Sequence, residues 1–334
     1  MASQFLNFLH HDAVSSGIMF SIFFVLAAAQ FSSRKWVRRV ALAIFILMTY
    51  LVLNAYRTLI KGLTRPTYAS RKEDVVKGRY HLLHECHAQQ VMLYTEDDLK
   101  LSGYLILRPQ AKGTILVFHG WRGTKDLLAC YVDALPDYNF FLFDFRAHGT
   151  SEGSLMTLGV QEIMDARAAL NFVAGYEKTK DLPVYGLGIS IGGSYLIALA
   201  HERPSAFKAL VIDSSFASLR ESAISDFKLR SWLPTVPFFS MFRWIMWVLT
   251  RNDFSYEPAK LVKDLSIPML FIHSSADTRI DIDHAEQLYE AARQAHPTSE
   301  LWRMQSGIHA ALCEEDQKLY GQKVREFFGR VEAK

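Results

Sequence analysis

Val184-Tyr185-Gly186-Leu187-Gly188-Ile189-Ser190-Ile191-Gly192-Gly193 is the stretch whose reading decides the fold. An apolar run leads into Gly-x-Ser-x-Gly, and small residues then open a helix that continues through Tyr195, Leu196 and Leu199. A serine hydroxyl is a weak nucleophile unless it is held exposed beside a base, and a sharp strand-to-helix turn does this by pushing Ser190 out of the backbone. Gly188 and Gly192 have no Cβ, so the helix can pack close to the strand. The helix start leaves the Ile191 N–H aimed at a developing oxyanion. The pattern is short, and its bland counterpart is a βα turn of any α/β protein.

The surrounding sequence decides between the two. Upstream, residues 90–94 and 101–107 alternate apolar and polar around Thr95-Glu96-Asp97-Asp98, which predicts an antiparallel opening pair. Residues 114–118 and 139–143 are continuous apolar runs, expected of strands buried on both faces. Leu127, Leu128, Tyr131, Val132 and Leu135 predict a helix between them, and Ile163, Ala166, Leu170 and Val173 a helix before Ser190. Short strands at 209–212, 269–272 and 301–304 alternate with further helices to the end. Repeated β-then-α units mean a mostly parallel sheet with helices on both faces.

A serine nucleophile on this architecture needs an acid and then a histidine later in the chain. Asp277 follows the 269–272 strand and can fix the tautomer of a histidine; Asp213, Asp281 and Asp283 are its rivals. His309 follows the 301–304 strand in a loop containing Gly307, with His273, His284 and His296 as alternatives. A solvated surface role fits His284 and His296 better. After residues 114–118 comes His119-Gly120-Trp121-Arg122-Gly123-Thr124, where the Trp121 N–H would join that of Ile191 as the second oxyanion donor.

These pieces together resemble the α/β-hydrolases of the serine esterase and lipase type, including membrane-anchored abhydrolase-domain proteins and the prolyl-oligopeptidase-like group. The resemblance rests on His119-Gly120, on residues 143–153 (Phe143-Asp144-Phe145-Arg146-Ala147-His148-Gly149-Thr150-Ser151-Glu152-Gly153), on Gly188 to Gly192, on Asp277 and on Gly307-Ile308-His309. It spans about residues 88–330. It implies a Ser-His-Asp triad, no metal and no organic cofactor. Two departures stand out: His273-Ser274 replaces the family's usual His-Gly before the acid, and Asp281 stands where proline often follows.

The N-terminal region differs from the rest. Ala13 to Phe31 is uncharged and long enough as a helix to cross a hydrocarbon layer of about 30 Å. Val40 to Tyr56 is a second such run, and Ser32 to Arg39 reads as a tight basic turn with an interfacial Trp36. The expectation is therefore a transmembrane hairpin in residues 1–60, with spans 13–31 and 40–56, and then a linker over 61–87. The hydrolase domain follows over 88–334 and carries a cap insertion at 215–265. A cleaved signal peptide fits less well, because no Lys or Arg precedes the first run.

The whole chain of 334 residues has a formal net charge of +3, but residues 34–79 hold eleven Lys or Arg against Glu73 and Asp74. This charge flanks hydrophobic runs and carries no nucleic-acid motif, so it reads as membrane-facing. The basic turn, as the loop after the first helix, points to a domain on the non-cytoplasmic side, while Arg57, Lys61, Arg65 and Arg71 pull the other way. The three cysteines give neither a disulfide framework nor a zinc pattern. His81, His84, Cys86 and His87 could hold a metal, although no second ligand cluster follows in the sequence.

Within the cap, Trp232-Leu233-Pro234 and residues 237–249 are densely apolar and aromatic, which favours an acyl chain as substrate. The expected function is a membrane-anchored serine hydrolase of lipid or acyl esters or thioesters. The alternatives are a prolyl-oligopeptidase-type peptidase, for whose accessory domain the length leaves no room, and a non-catalytic binding protein on the same fold.

Overall fold

In the computed structural model, residues 34–64, 71–230 and 235–333 are described. Among the described residues eight strands form one sheet: β1 (Gln89–Tyr94), β2 (Lys100–Ile106), β3 (Thr114–Phe118), β4 (Asn139–Phe143), β5 (Val184–Ile189), β6 (Ala209–Asp213), β7 (Met269–Ser274) and β8 (Glu300–Met304). Their order across the sheet is β1-β2-β4-β3-β5-β6-β7-β8. β2 runs antiparallel to both β1 and β4, and from β4 to β8 every pairing is parallel.

The apolar runs are central strands because they can be nothing else: every residue of β3, β4, β6 and β7 is buried. Side chains covered on both faces read as continuous hydrophobic sequence.

The helices are α1 (Lys35–Leu63), α2 (Lys72–Tyr80), α3 (Ala129–Ala134), α4 (Glu162–Gly175), α5 (Ile191–Glu202), α6 (Leu219–Arg230), α7 (Thr235–Thr250), α8 (Pro258–Val262), α9 (Ile282–Ala295), α10 (Leu312–Glu315) and α11 (Gln317–Glu332). On one face of the sheet Ile115, Val117, Tyr185 and Leu187 pack with Tyr131 and Val132 of α3 and with Val324 and Phe328 of α11. On the other, Phe141 stacks on Phe172 of α4 with ring centroids 4.7 Å apart. Each fully buried aromatic or aliphatic side chain contributes roughly 1.5–3 kcal/mol, so the two faces carry the stability of this fold.

One compact unit takes in Thr64–Ser222 and Tyr256–Lys334; the other takes in α1 and Ala223–Ser255. The unit boundaries at Ala223 and Ser255 thus fall inside the expected insertion at 215–265. Within the smaller unit, Phe239 lies 5.8 Å from Phe242 and 6.0 Å from Phe254 between ring centroids. Met246 of α7 is buried, whereas Trp244 and Val248 are exposed.

Several expectations are corrected. The run 13–31 lies outside the described residues. The run 40–56 lies within α1, which already begins at Lys35, so Lys35 to Arg39 are helical rather than a turn. Lys and Arg are good helix formers, and nothing in Arg34 to Arg39 interrupts the helix. Among the described residues no helix is long and apolar enough to cross a membrane.

The linker expected over 61–87 is helical in α2 and continues as a π-helix at His81–Glu85. Its polar residues are fixed by distant partners: Arg71 by Glu314 at 2.8 Å and Arg79 by Asp126 at 2.8 Å. The helix expected around Leu127 to Leu135 is split into a 3₁₀ turn at Lys125–Leu127 and the short α3. Cys130 and Cys313, 183 residues apart, form a disulfide. That pairing joins α3 to α10 in space, which is why no spacing in the sequence announced it.

Candidate active site

Three strands deliver the groups singled out in the sequence to one place, at the carboxyl ends of the parallel sheet where such folds bind ligands. Ser190 stands between β5 and α5 with φ 54° and ψ −126°, a conformation L-residues rarely adopt. The turn is tight enough that a Cβ on Gly188 would lie 2.5 Å from the Gly193 Cα, and one on Gly192 would collide with the carbonyl oxygens of Phe118 and His119. Both glycines are therefore required by close approach, as expected.

His309 Nε2 lies 2.9 Å from Ser190 Oγ, and His309 Nδ1 lies 2.7 Å from Asp277 Oδ2. With Nδ1 carrying the proton, Nε2 is left as an acceptor for the serine hydroxyl. The Asp277 carboxylate also accepts from the amides of Arg279 at 2.8 Å and Ile280 at 3.0 Å. Burial alone would raise its pKa; hydrogen bonds from His273 and His309 outweigh burial and hold it well below the usual carboxylate range. It is an anion wherever the protein is folded near neutral pH.

The rival residues are occupied elsewhere. Asp213 is buried at the end of β6 and accepts hydroxyl hydrogen bonds from Ser214 at 2.8 Å, Tyr320 at 2.9 Å and Tyr131 at 3.4 Å. Asp281 caps α9 by accepting from the Asp283 amide, and Asp283 is exposed. His273 stands behind Asp277, its Nε2 donating to the Ile280 carbonyl at 2.9 Å and lying 3.4 Å from Asp277 Oδ2. His284 is buried rather than solvated, accepting from the Ala217 amide through Nδ1. His296 sits beside Lys208 and Pro268, before the starts of β6 and β7, and bonds Thr298.

The turn after β3 abuts the serine: a Cβ on Gly120 would meet the Ser190 Cβ at 3.2 Å. Two buried histidines pin it. His119 Nδ1 donates to the Gly120 carbonyl at 2.8 Å, and its Nε2 accepts from the Phe145 amide at 3.0 Å. His148 Nδ1 donates to the Arg146 carbonyl, and its Nε2 accepts from the Arg122 amide at 3.3 Å. The sequence reading singled out both motifs through resemblance but assigned neither histidine this role. Arg122, at φ 64°, and Arg279 lay their guanidinium groups 5.1 and 5.2 Å from the centre of the Trp121 ring.

The loop carrying His148 is fixed by buried ion pairs: Asp144 accepts from Lys125 Nζ at 2.5 Å and Arg146 pairs with Asp165 at 2.7 Å, while the outer end of Arg146 reaches the exposed Asp97 at 2.9 Å. Charges buried this deeply persist only when paired, and removing one partner would cost about 3–5 kcal/mol.

Burial pushes the pKa of His119 well below its ordinary value, with His148 nearby acting in the same direction, and burial likewise lowers that of His148. The unfolded chain takes up these protons below about pH 6.5 whereas the folded chain resists them. Stability contributed by the neutral rings is thus lost as pH falls, at up to about 1.4 kcal/mol per pH unit for each ring. His273, whose pKa is raised, acts with the opposite sign. Urea unfolding at pH 7 and pH 5 is expected to show a smaller acid loss in His148→Gln than in wild type. An equal loss in both would exclude the neutral-ring account.

A family profile described as alpha/beta hydrolase fold matches residues 113–240. The Pf2001 esterase of Pyrococcus furiosus superposes with a TM-score of 0.61 at 24% identity, over 73% of this chain and 91% of that one. The chain has the α/β-hydrolase fold. Est1E of Butyrivibrio proteoclasticus, solved with ferulic acid bound, superposes with a TM-score of 0.59 at 18% identity, over 73% of this chain and all of that one. In sequence, the α/β-hydrolase domain-containing protein WAV2 of Arabidopsis thaliana is 23% identical over 246 residues, 72% of this chain and 77% of its own. The uncharacterized protein YfhR of Escherichia coli K12 is 28% identical over 218 residues, 62% of this chain and 69% of its own.

Proposed function

We propose that this α/β-hydrolase is a serine hydrolase of carboxylic esters with Ser190 as nucleophile, His309 as general base and acid, and Asp277 as the carboxylate that orients His309. The observation that carries the reading is the continuous chain from Ser190 Oγ through His309 to Asp277, with links of 2.9 and 2.7 Å. A binding protein that had merely kept the fold would have no use for that alignment. Esterases among the solved structures of the same fold support the class of reaction.

In this mechanism Ser190 Oγ attacks the ester carbonyl carbon as His309 Nε2 takes the hydroxyl proton. The backbone N–H groups of Trp121 and Ile191 hold the oxyanion, the Ile191 amide being one of the first-turn donors that a helix leaves without an internal acceptor. Collapse of the tetrahedral adduct breaks the bond to the leaving oxygen, which receives the proton from His309. Water, deprotonated by the same nitrogen, then frees the acyl group and regenerates Ser190.

The substrate class is an acyl ester or thioester with an apolar acyl chain, in keeping with the aromatic stretch 237–249 inserted between β6 and β7. Residues 1–60 anchor the chain to a membrane. On α1, Trp36, Val40, Leu42, Ile46, Leu47 and Tyr50 are all exposed although apolar, next to the basic residues from Arg34 to Arg39. The Cys130–Cys313 disulfide favours the non-cytoplasmic side for the domain, since such bonds persist in oxidising compartments. The test is hydrolysis of p-nitrophenyl esters of increasing chain length by the full chain in detergent, with fluorophosphonate labelling alongside. Rates are expected to peak at medium or long acyl chains; a protein that neither labels nor hydrolyses any ester would refute the proposal.

A further inference from the structure

The π-helix at His81–Glu85 is an irregularity with a chemical result. Its defining bond runs from the Cys86 amide to the His81 carbonyl at 3.0 Å, five residues apart. An α-turn would align His81 with Glu85; the wider π-turn also brings Cys86 round towards the same side, and such insertions are frequent at functional sites. Asp133 of α3 meets this turn from across the chain. His81 Nε2 lies 2.9 Å and Cys86 Sγ 3.7 Å from Asp133 Oδ1, and the three ligand atoms all lie within 4.8 Å of one another.

The remaining hydrogen bond of His81 completes the pattern. Its Nδ1 lies 2.8 Å from Glu85 Oε2, so both ring nitrogens face carboxylate oxygens. A neutral imidazole has one N–H, and when it donates to Glu85 the Nε2 lone pair points at an anionic oxygen. In the metal-free protein a second proton on His81, favoured by Asp133 and Glu85, meets that oxygen; a cation between Nε2, the Asp133 carboxylate and the Cys86 sulfur can take the proton's place. A carboxylate on the far nitrogen is the usual device for orienting a metal-bound histidine.

We propose that His81 Nε2, Cys86 Sγ and Asp133 Oδ1 form a binding site for a divalent cation of zinc type, with Glu85 orienting His81. Imidazole, thiolate and carboxylate together suit zinc better than magnesium or calcium. At zinc bond lengths of about 2.0–2.3 Å, tetrahedral ligands lie about 3.3–3.8 Å apart, so the three atoms need move by about 1 Å or less. The fourth position opens to solvent, His81 and Asp133 being 28% and 37% exposed in their side chains. Binding releases to solvent the proton of the Cys86 thiol and the one held between His81 and Asp133. The ion would clasp α2 and the π-turn to α3, the helix that Cys130 already ties to α10.

The test uses the full chain in detergent without reductant. Cobalt(II) titration is expected to give about one ion per chain, with a thiolate-to-cobalt charge-transfer band that zinc abolishes by displacement. Zinc is expected to slow alkylation of Cys86 at least tenfold and to raise the unfolding temperature of wild type. His81→Ala, Cys86→Ser and Asp133→Asn should each lose the band and the zinc-dependent rise while ester hydrolysis stays close to wild type, and each variant's unfolding temperature is compared with and without zinc because Cys86 lies in the buried core. Absence of the band, unaltered Cys86 alkylation, or a band that survives His81→Ala would overturn the site. An imidazolium held between Glu85 and Asp133 would then account for the geometry. Because ester hydrolysis is read separately, failure of this site leaves the hydrolase proposal standing, and the converse also holds.

Discussion

Ser190→Ala is expected to abolish fluorophosphonate labelling and to lower ester turnover by about ten-thousandfold or more, and His309→Ala to do nearly as much alone. The two losses do not multiply in the double variant, because each breaks the same proton path from Ser190 Oγ to His309 Nε2. Asp277→Asn separates the acid from its rivals. An amide can donate to His309 Nδ1 and so favour the wrong tautomer, with an expected loss in kcat of about ten-thousandfold and little change in KM. Asp213→Asn disturbs the buried hydroxyls of Ser214, Tyr131 and Tyr320 and removes a charge felt by His273 and His309, but breaks no hydrogen bond to His309. It should lower stability while leaving kcat within about tenfold. Measuring kcat and unfolding side by side for the two variants decides the assignment: a larger kcat loss at Asp213 would transfer the role to it.

Removing the disulfide with Cys130→Ser and Cys313→Ser lowers stability by up to roughly 5 kcal/mol, the chain-entropy value for so long a loop. Urea unfolding of oxidised protein against the double variant checks this. The activity should fall as well. Cys313 lies in α10, which starts just beyond His309, and Leu312 packs where a Cβ on Gly307 would fall. The disulfide therefore anchors the segment next to His309, the proposed base. If turnover at a temperature where the variant remains folded equals that of wild type, the His309 loop is held by its other contacts, such as the Ala310 amide on Ser214 Oγ.

Much of this was readable in the sequence, for a physical reason in each case. β3, β4, β6 and β7 announce themselves because a strand covered on both faces has nowhere to place a polar residue. Ser190 is legible because a turn this tight tolerates only glycine at two flanking positions. Asp277 and His309 are legible because each follows a recognisable strand.

What the sequence hid depends on partners far away along the chain. The polar stretch with Arg71, Arg79 and His81 looks like a linker until Glu314, Asp126 and Asp133 are brought beside it. The same is true of His148, whose bond to the Arg122 amide depends on the path of a buried loop, and of His284, which looks like a surface residue but faces the Ala217 amide. Local patterning reports which side of an element is wet; it does not report which distant group will meet it.

The sheet order has one more result. Ser190, Asp277 and His309 arrive from β5, β7 and β8, and among the described residues β8 is the outermost strand on its side. Parallel pairings of this kind join segments distant in sequence and form slowly. Ser190 can sit in its strained turn as soon as β3, β5 and β6 have paired, yet it meets no base until β8 docks. On the proposed mechanism, Ser190 is therefore unarmed in any partly folded chain in which β8 has not yet joined β7.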